Sequence, residues 1–387
     1  MADPRVAEHA RIVVNYSCKI KRGDFVVIGA TPEARELVVA LAAEIGRAGA
    51  GFVVTDMDES IHRAYILAAD AETLSSFPPQ ELDLFRGADA IIQVISPSNT
   101  HEMGDVPPMK LQVAARARGA LGGAMEGKRW NLTLHPTKAL AQEAKMTYEA
   151  YCDFVYSAII RDWAGFASEM SVLSERLAKA KSVRITGERT DITLSVEGRR
   201  PKVSAGDHNM PSGEVFVSPV ETAVRGDVYF DLPVLYQGRE IRGAQLSFRS
   251  GRVVKSSAEE GGDTLKDLLE VDQGAKRLGE LGIGMNRGID RFTRNILFDE
   301  KMGDTIHMAV GRAYPETGGT NKSAIHIDMI KSMKETGTIY LDGEAVYEKG
   351  RFVWEEERSR KGLESAAQRS QTGRTRGPGS HSRRPSD

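Results

Sequence analysis

Cysteine, aromatic residues and long apolar runs are all scarce in this chain. Aromatic residues make up 6% of the chain, and only two of its 387 residues are cysteine. So few cysteines exclude a disulfide-stapled scaffold and a cysteine-rich zinc module. No stretch approaches the roughly 20 uninterrupted apolar residues that a membrane helix needs. An excess of charge is absent too, because 52 Lys and Arg residues face 54 Asp and Glu residues. This balance offers no general attraction for nucleic acid or an anionic membrane, so the function must reside in a local site.

The few cysteines and the first ten residues both bear on the cellular compartment. Cys18 and Cys152 belong to no Cys-x-x-Cys or Cys/His cluster, and so few thiols in a chain of this size are typical of the reducing cytoplasm. Residues 1–10 carry charged side chains and lack the apolar segment of a secretory signal. We therefore expect a cytoplasmic protein with two free, buried thiols.

The first half of the chain alternates between strand and helix patterns. Residues 24–30, 51–55 and 90–95 are short runs rich in Val and Ile, and apolar residues recur at helical spacing over residues 37–45. Continuous apolar strands separated by helices indicate a parallel sheet covered on both faces. We predict an α/β domain over residues 1–180. Its first turn lacks the glycine spacing of a dinucleotide-binding loop and the lysine of a phosphate loop, so no nucleotide cofactor is expected.

The pattern changes near residue 181. Residues 182–196 alternate between polar and apolar around a turn, which predicts an antiparallel hairpin, and one helix is predicted over residues 263–278. Further strand patterns cover residues 214–218, 227–230, 245–249, 338–341 and 345–347. We predict an α+β domain with mostly antiparallel strands over residues 181–357. A disordered basic tail is predicted over residues 358–387, which are poor in large apolar residues.

Residues with catalytic or metal-binding chemistry concentrate in this second half. Glu214 follows a turn containing Pro and Gly and begins an apolar strand, which fixes the direction of its carboxylate. Glu280 follows the predicted helix among three glycines, which either allow a ligand to come close or simply end the helix. Residues 299–315 then contain two Asp, one Glu, one His and one Tyr. The candidates in this segment are Glu300, His307 and Tyr314.

His326 and Asp328 are separated by one residue in an apolar segment. On a strand they would share a face and could bind a metal ion together, although a hydrogen-bonded His/Asp pair facing solvent fits the same spacing. The complete set of three Glu, two His and one Asp offers oxygen and nitrogen ligands without a thiolate. Such a set suits two divalent ions such as zinc, cobalt, manganese or magnesium. Paired ions about 3.5–4 Å apart commonly hydrolyse amide or phosphate bonds, so we expect a dinuclear hydrolase.

Five ordered motifs resemble those of one known family, the aminopeptidase T and aminopeptidase S group of metallo-aminopeptidases. The motifs are NMPSGEVFVSPVE with Glu214, RLGELGIGMN with Glu280, LFDE with Glu300, IHMAVGRAYP with His307 and Tyr314, and AIHIDMI with His326 and Asp328. The resemblance extends over residues 5–355. It therefore includes both predicted domains.

The resemblance implies an aminopeptidase that removes the N-terminal residue, leucine-like residues included, from short peptides. It implies two divalent ions per chain with a bridging water that attacks the peptide carbonyl. It also implies a homodimer. Within each chain, it implies that Glu280 bridges the ions and that Tyr314 polarises the tetrahedral intermediate or orients the substrate. The implied metal ligands are Glu214, Glu280, Glu300, His307, His326 and Asp328.

One departure from the family pattern affects the ligand set. The residues KMGDTI separate Glu300 from His307, where the family has a shorter DENA-like stretch, so Asp304 competes with Glu300 as the ligand. Two other functions also fit the sequence. The first is a mononuclear iron dioxygenase that cleaves dihydroxypyridine rings, a kind of enzyme that resembles this fold and keeps the His-x-Asp pair. The three Glu of this chain favour two metals over one. The other possibility is a non-enzymatic binding protein whose carboxylates are merely solvated.

Overall fold

The computed structural model describes residues 3–236 and 238–355. The basic tail predicted over residues 358–387 lies outside the described residues. Within the described ranges, no helix combines the length and apolar character needed to cross a membrane. The first half contains a parallel sheet with helices and the second half contains antiparallel sheets, which confirms the predicted fold class.

Helices and parallel strands alternate through the first half. The strands are β1 (Phe25–Ala30), β2 (Gly51–Asp56), β3 (Ala90–Ile95) and β4 (Arg129–Leu134). The helices are α1 (Pro4–Arg11), α2 (Arg35–Ala48), α3 (Glu59–Ala68), α4 (Ala71–Ser75), α5 (Pro79–Gly87), α6 (Pro108–Arg118), α7 (Ala120–Met125), α8 (Lys138–Glu143), α9 (Tyr148–Ile159) and α10 (Trp163–Lys179). A π-helix covers Ile12–Ser17 and a 3-10 helix covers Pro32–Ala34. The strands lie in the order β2-β1-β3-β4.

Helix α2 shows how the sequence produces this layer. Leu37, Leu41 and Ile45 recur at helical spacing and are completely buried, in one core with Val26 of β1. The helix ends at Ala48, and the next residue, Gly49, has a left-handed φ of 77°, which suits glycine. The chain then enters β2, as the sequence pattern predicts.

Antiparallel strands dominate the second half. The strands are β5 (Ser182–Gly187), β6 (Thr190–Ser195), β7 (Lys202–Ser204), β8 (Asn209–Met210), β9 (Glu214–Val217), β10 (Val224–Phe230), β11 (Val234–Tyr236), β12 (Arg239–Ile241), β13 (Ala244–Arg249), β14 (Arg252–Ser257), β15 (Leu278–Gly284), β16 (Thr305–Gly311), β17 (His326–Ser332), β18 (Thr338–Leu341), β19 (Glu344–Glu348) and β20 (Arg351–Phe352). The helices are α11 (Gly262–Leu269) and α12 (Ile296–Asp299), and a 3-10 helix covers Pro315–Thr317. One sheet has the strand order β14-β13-β10-β6-β5-β18-β19-β20 and another has the order β17-β16-β15-β9-β7, while β11 pairs with β12.

Strand β8 connects the two halves, because it pairs in parallel with β4 at the edge of the first sheet. The Thr133 hydroxyl of β4 donates to the Met210 carbonyl at 2.8 Å and lies 2.7 Å from Nε2 of the buried His9. Since that hydroxyl hydrogen points to Met210, His9 Nε2 must donate to Thr133. These bonds tie the turn before Glu214 to the parallel sheet. The domain division at residue 180 stays a prediction.

The helix predicted over residues 263–278 is too long. Helix α11 ends at Leu269, and the Asp272 carboxylate accepts hydrogen bonds from the amides of Gly274 and Ala275 at 2.8 and 2.9 Å. Such local side-chain bonds offer the backbone an alternative to the helix. Ala275 is buried as predicted but lies beyond the helix. Residues 278–284 form strand β15, so Glu280 is on a strand.

Candidate metal centre

The sheet β17-β16-β15-β9-β7 carries five of the predicted ligands. They are Glu214 on β9, Glu280 on β15, His307 on β16, and His326 and Asp328 on β17. Ala309 pairs with both Glu280 and Asp328, while Gly282 pairs with His307 and Gly284 with Glu214. Paired residues of adjacent antiparallel strands share a face. The five side chains therefore project from one face of the sheet, where small residues leave room between them.

Glu280 lies between two imidazoles. Its Oε1 is 3.5 Å from His307 Nε2, and its Oε2 is 3.1 Å from His326 Nε2. Burial raises the pKa of Glu280, but hydrogen bonds from the two imidazoles outweigh burial and hold it below the ordinary value. Burial lowers the pKa of each imidazole, yet their carboxylate partners raise both above the ordinary value. The imidazoles of His307 and His326 therefore behave as cations that share the Glu280 carboxylate.

Asp328 extends this cluster, as the spacing of the His-x-Asp pair predicts. Its Oδ1 is 3.6 Å from His326 Nε2, and one ligand atom from each of Glu280, His307 and Asp328 lies within 4.8 Å of the others. His326 Nδ1 donates to the Arg312 carbonyl at 2.7 Å. That bond fixes the ring and leaves Nε2 available to a cation.

Glu214 and Glu300 share a buried lysine beside this cluster. Lys301 Nζ is 3.6 Å from Glu214 Oε1 and forms an ion pair with Glu300, while Glu214 Oε2 is 3.5 Å from His307 Nε2. Burial raises the pKa of both carboxyls, and the Lys301 charge opposes that effect. For Lys301 itself, burial lowers the pKa, but the two carboxylates outweigh burial and raise it. The ammonium is therefore held as a charged group.

Glu300, and not Asp304, faces the other predicted ligands. The pKa of Glu300 is raised by burial and, after the opposing effect of Lys301, by the negative charge of Asp328. Asp304 Oδ1 instead lies 3.4 Å from Arg287 Nη2 and accepts a hydrogen bond from the Tyr347 hydroxyl at 3.3 Å. Glu300 is thus the better candidate ligand of the two.

Unsatisfied buried atoms at the centre fit a bound cation. Among the described residues of the centre, Glu214 Oε2 and Asp328 Oδ1 are buried and lack a hydrogen-bond partner, although buried polar groups are normally satisfied. The separations of 3.1–3.6 Å between the imidazole nitrogens and carboxylate oxygens match those between neighbouring ligands whose bonds to one ion are about 2.0–2.2 Å. The donor atoms suit a hard or borderline divalent ion.

Tyr314 follows β16 and lies against the centre. Its ring centroid is 5.1 Å from that of His326 and 5.4 Å from that of Phe216. Its amide donates to Ser218 Oγ at 3.2 Å, and the Thr317 hydroxyl contacts both Ser218 Oγ and the Tyr314 carbonyl at 2.8 Å. Burial and then the charge of Glu280 raise the pKa of the phenol. Tyr314 therefore keeps its proton near neutral pH and can donate a hydrogen bond.

The glycines around Glu280 serve packing. A Cβ at Gly282 would lie 2.0 Å from His307 Cε1, and one at Gly284 would lie 2.1 Å from the Met302 carbonyl oxygen. The interpretation of these glycines as a helix exit is wrong, because they lie within β15. Their absent side chains do permit close approach, and the group that approaches Gly282 is the His307 imidazole.

Sequence reasoning missed Lys301 and Asn286. Asn286 is completely buried, and its Nδ2 donates to the carbonyls of Ser212 at 2.8 Å and Ala158 at 3.1 Å. It thereby holds the turn before Glu214 against helix α9. The signal for Lys301 was its place in the KMGDTI departure, directly after Glu300. Asn286 gave no comparable signal, because its partners are backbone carbonyls far away in the sequence.

Residues 2–352 match the family model described as "Thermophilic metalloprotease (M29)". The matched range spans almost all of the described chain. The chain belongs to this family. Membership confirms the resemblance that the five motifs indicate and makes the protein a metallopeptidase. The alternative of solvated carboxylates on a non-enzymatic protein is wrong, since Glu214 and Glu280 are only 6% and 4% exposed.

Curated relatives align with the chain nearly from end to end. Aminopeptidase 2 of Geobacillus stearothermophilus is 27% identical over 408 aligned positions, which cover 90% of this chain and 97% of that protein. Aminopeptidase T of Thermus thermophilus is 26% identical, with 88% of this chain and 94% of that protein covered. The similarity therefore includes both halves of the fold and is not confined to the metal centre.

Two solved structures share the fold. Wild-type AmpT from Thermus thermophilus superimposes with a TM-score of 0.80 at 25% identity, covering 90% of this chain and 99% of that chain. The 2,5-dihydroxypyridine dioxygenase of Pseudomonas putida gives a TM-score of 0.61 at 14% identity, covering 91% and 98%. At that identity the likeness to the dioxygenase shows the fold alone.

Proposed function

We propose that this metallopeptidase is an aminopeptidase that releases the N-terminal residue of short peptides through a dinuclear metal centre. The observation that carries the proposal is the buried cluster in which Glu280 contacts both His307 and His326. Family membership supports metal-dependent peptide hydrolysis, and the relatives named aminopeptidase support a free N-terminus as the substrate feature.

The proposal divides the ligands into two neighbouring positions that share Glu280. The residues proposed for the first position are Glu280, His307, His326 and Asp328. The residues proposed for the second position are Glu214, Glu280 and Glu300. The mixed oxygen and nitrogen donors favour zinc, cobalt, manganese or magnesium as the ion.

The chain's own groups would carry the remaining steps of hydrolysis. When bound, the divalent ions supply a water with a lowered pKa and a Lewis acid for the scissile carbonyl. Glu280 holds the two positions together, and the Tyr314 hydroxyl donates to the oxygen on which charge develops or orients the peptide. A carboxylate of the cluster would accept a proton from the attacking water and pass it to the leaving amine.

The rest of the proposal follows the family resemblance. Short peptides are the expected substrates, with leucine-like N-terminal residues among those released. A second copy of the chain would complete a homodimer, for which the exposed Phe52 and Val54 of edge strand β2 offer apolar surface. A cytoplasmic location agrees with the free Cys18 and Cys152.

The test restores zinc, cobalt, manganese or magnesium in turn to metal-stripped protein and measures hydrolysis of leucyl-p-nitroanilide and dipeptides. We expect metal-dependent release of the N-terminal residue and no cleavage of the N-acetylated peptides. Glu280→Gln should lower kcat/KM at least about 100-fold, because a ligand and bridging carboxylate loses charge. Glu149→Gln, an exposed site on α9, is the matched control and should behave as wild type.

Two results would count against the proposal. Unchanged metal content and unchanged hydrolysis in Glu280→Gln would show that the proposed metal centre takes no part in the reaction. Bound iron with oxygen uptake on dihydroxypyridines, and no peptidase activity, would instead favour the dioxygenase reaction.

A further inference from the structure

Lys301 is a completely buried lysine inside the proposed metal centre. Its side chain is 0% exposed, and its ammonium contacts Glu214 and Glu300, two carboxylates proposed for the second metal position. Its backbone is fixed on both sides, because its amide donates to Phe298 and its carbonyl accepts from the amide of Asn286. These hydrogen bonds fix the backbone of Lys301 and so hold its ammonium beside the two carboxylates.

The ion-pair partners of this ammonium are both candidate metal ligands. Among the residues that the structure describes, Glu214 and Glu300 are the only side chains that form ion pairs with Lys301 Nζ, and the negative charge of Asp328 acts on it from farther away. A buried charge that loses its partners is strongly unfavourable. Displacing the ammonium from the two carboxylates therefore opposes the binding of a second ion.

We propose that the Lys301 ammonium is a built-in cation at the second metal position, so that the first divalent ion binds tightly and the second must displace the lysine. This inference rests on the proposed function, since it concerns the same carboxylates. Among the described side chains, the first position around Glu280 and the two imidazoles contains no ammonium, and its imidazoles release their protons when a metal ion binds. The second position is already neutralised in part by the protein itself.

Charge counting supports the unequal affinities. The centre contains four carboxylates, Glu214, Glu280, Glu300 and Asp328. One divalent ion and one ammonium leave a single excess negative charge, whereas a second divalent ion beside the ammonium would give an excess of positive charge. The first ion therefore meets three net negative charges and the second ion meets only one, so the attraction for the second ion is weaker.

The experiment titrates zinc into metal-stripped wild type, Lys301→Met and Lys331→Met, by calorimetry and by metal analysis after dialysis at stated free zinc. Wild type should bind one ion tightly and a second at least about tenfold more weakly. Lys301→Met should bind the second ion at least about tenfold more tightly than wild type does, because its carboxylates are no longer paired. Lys331→Met is the matched control: Lys331 is 1% exposed on β17, and its ammonium contacts the Glu188 carbonyl. It should match wild type.

The outcomes separate this inference from the proposed function. Two zinc ions of equal affinity in wild type would overturn the inference while leaving the aminopeptidase proposal intact, and this result does not depend on any variant folding. A folded Lys301→Met with wild-type affinities at both positions would also overturn it. A wild type that binds no zinc and cleaves no peptide would overturn both.

Discussion

Gly282 lies opposite His307 across strands β15 and β16, and the imidazole covers the position that a side chain would occupy. His307 is 1% exposed, so its ring has little space into which it could move. The absent side chain on one strand therefore sets the direction of a candidate ligand on the next. This relation is invisible in the sequence, where the two residues are 25 positions apart.

Gly282→Ala should displace the His307 ring and weaken zinc binding at least about tenfold. Overpacking of this kind also costs about 1–3 kcal/mol of unfolding free energy. Equilibrium dialysis with zinc and urea unfolding would measure the two effects. Gly46→Ala is the matched control, because no atom lies within 4 Å of the added Cβ and the change stabilises an exposed helical site by about 0.4–1 kcal/mol. Wild-type zinc affinity in Gly282→Ala would contradict this prediction, because the His307 ring would then have room to move without loss of binding.

Single residues also mark the limit of sequence reasoning at the site. Strand alternation was enough to bring His326 and Asp328 together, and the turn before Glu214 predicted the start of a strand. Lys301 could not be found this way, because a lysine is expected at the surface unless its partners are known to be buried. Those partners meet it only when β9 and α12 pack together.

At the scale of elements, helix α1 is joined to the parallel sheet by a polar contact inside the core. His9 is completely buried, and its partner Thr133 binds Met210 of β8. Burial, and then the charge of His135, lower the pKa of His9 to about 3. The ring is therefore neutral in the folded protein over most of the acid range.

This contact predicts how stability depends on pH. A histidine in the unfolded chain binds a proton below about pH 6.5, whereas folded His9 does so only near pH 3. His9 thus stabilises the fold fully above pH 6.5, and this contribution falls between pH 6.5 and 3 by up to about 1.4 kcal/mol per pH unit. Urea unfolding of wild type and His9→Gln across this range should show a shallower decline for the variant. Parallel curves would contradict the assignment.

Elements were predicted well where apolar periodicity was strong and poorly where glycine and aspartate intervened. Strand β3 and helix α2 follow from their apolar patterns, and the hairpin of β5 and β6 follows from alternation. Strand β15 was not predicted, because glycines that fit close strand packing also fit a helix end or the approach of a ligand. The turn at Asp272 and the pairing of β8 with β4 depend on contacts between distant segments.

At the scale of the whole molecule, the metal centre joins four strands of one sheet to helix α12 and the segment that follows β16. Four carboxylates face one another there, and cations of the protein offset only part of their charge. A divalent ion should therefore stabilise the folded chain and not the catalytic step alone.

Metal removal should accordingly lower the melting temperature, and zinc should restore it. A free zinc concentration about 100 times the dissociation constant stabilises the fold by about 2.7 kcal/mol. Thermal unfolding with a chelator and then with zinc measures the difference, and Glu280→Gln should show a smaller shift than wild type. Identical melting curves in chelator and in zinc would argue against a metal bound by the folded chain alone.

The candidate ligands lie almost entirely on paired strands, whereas Tyr314 lies in the connection between β16 and β17, held by Ser218 and Thr317. The candidate ligands and Tyr314 are thus held by different kinds of structure, a sheet and a connection between two of its strands. The same connection also contains Arg312, whose carbonyl accepts the hydrogen bond from His326 Nδ1. A change in this connection therefore acts on Tyr314 and on a candidate metal ligand at once, so the two cannot be altered separately.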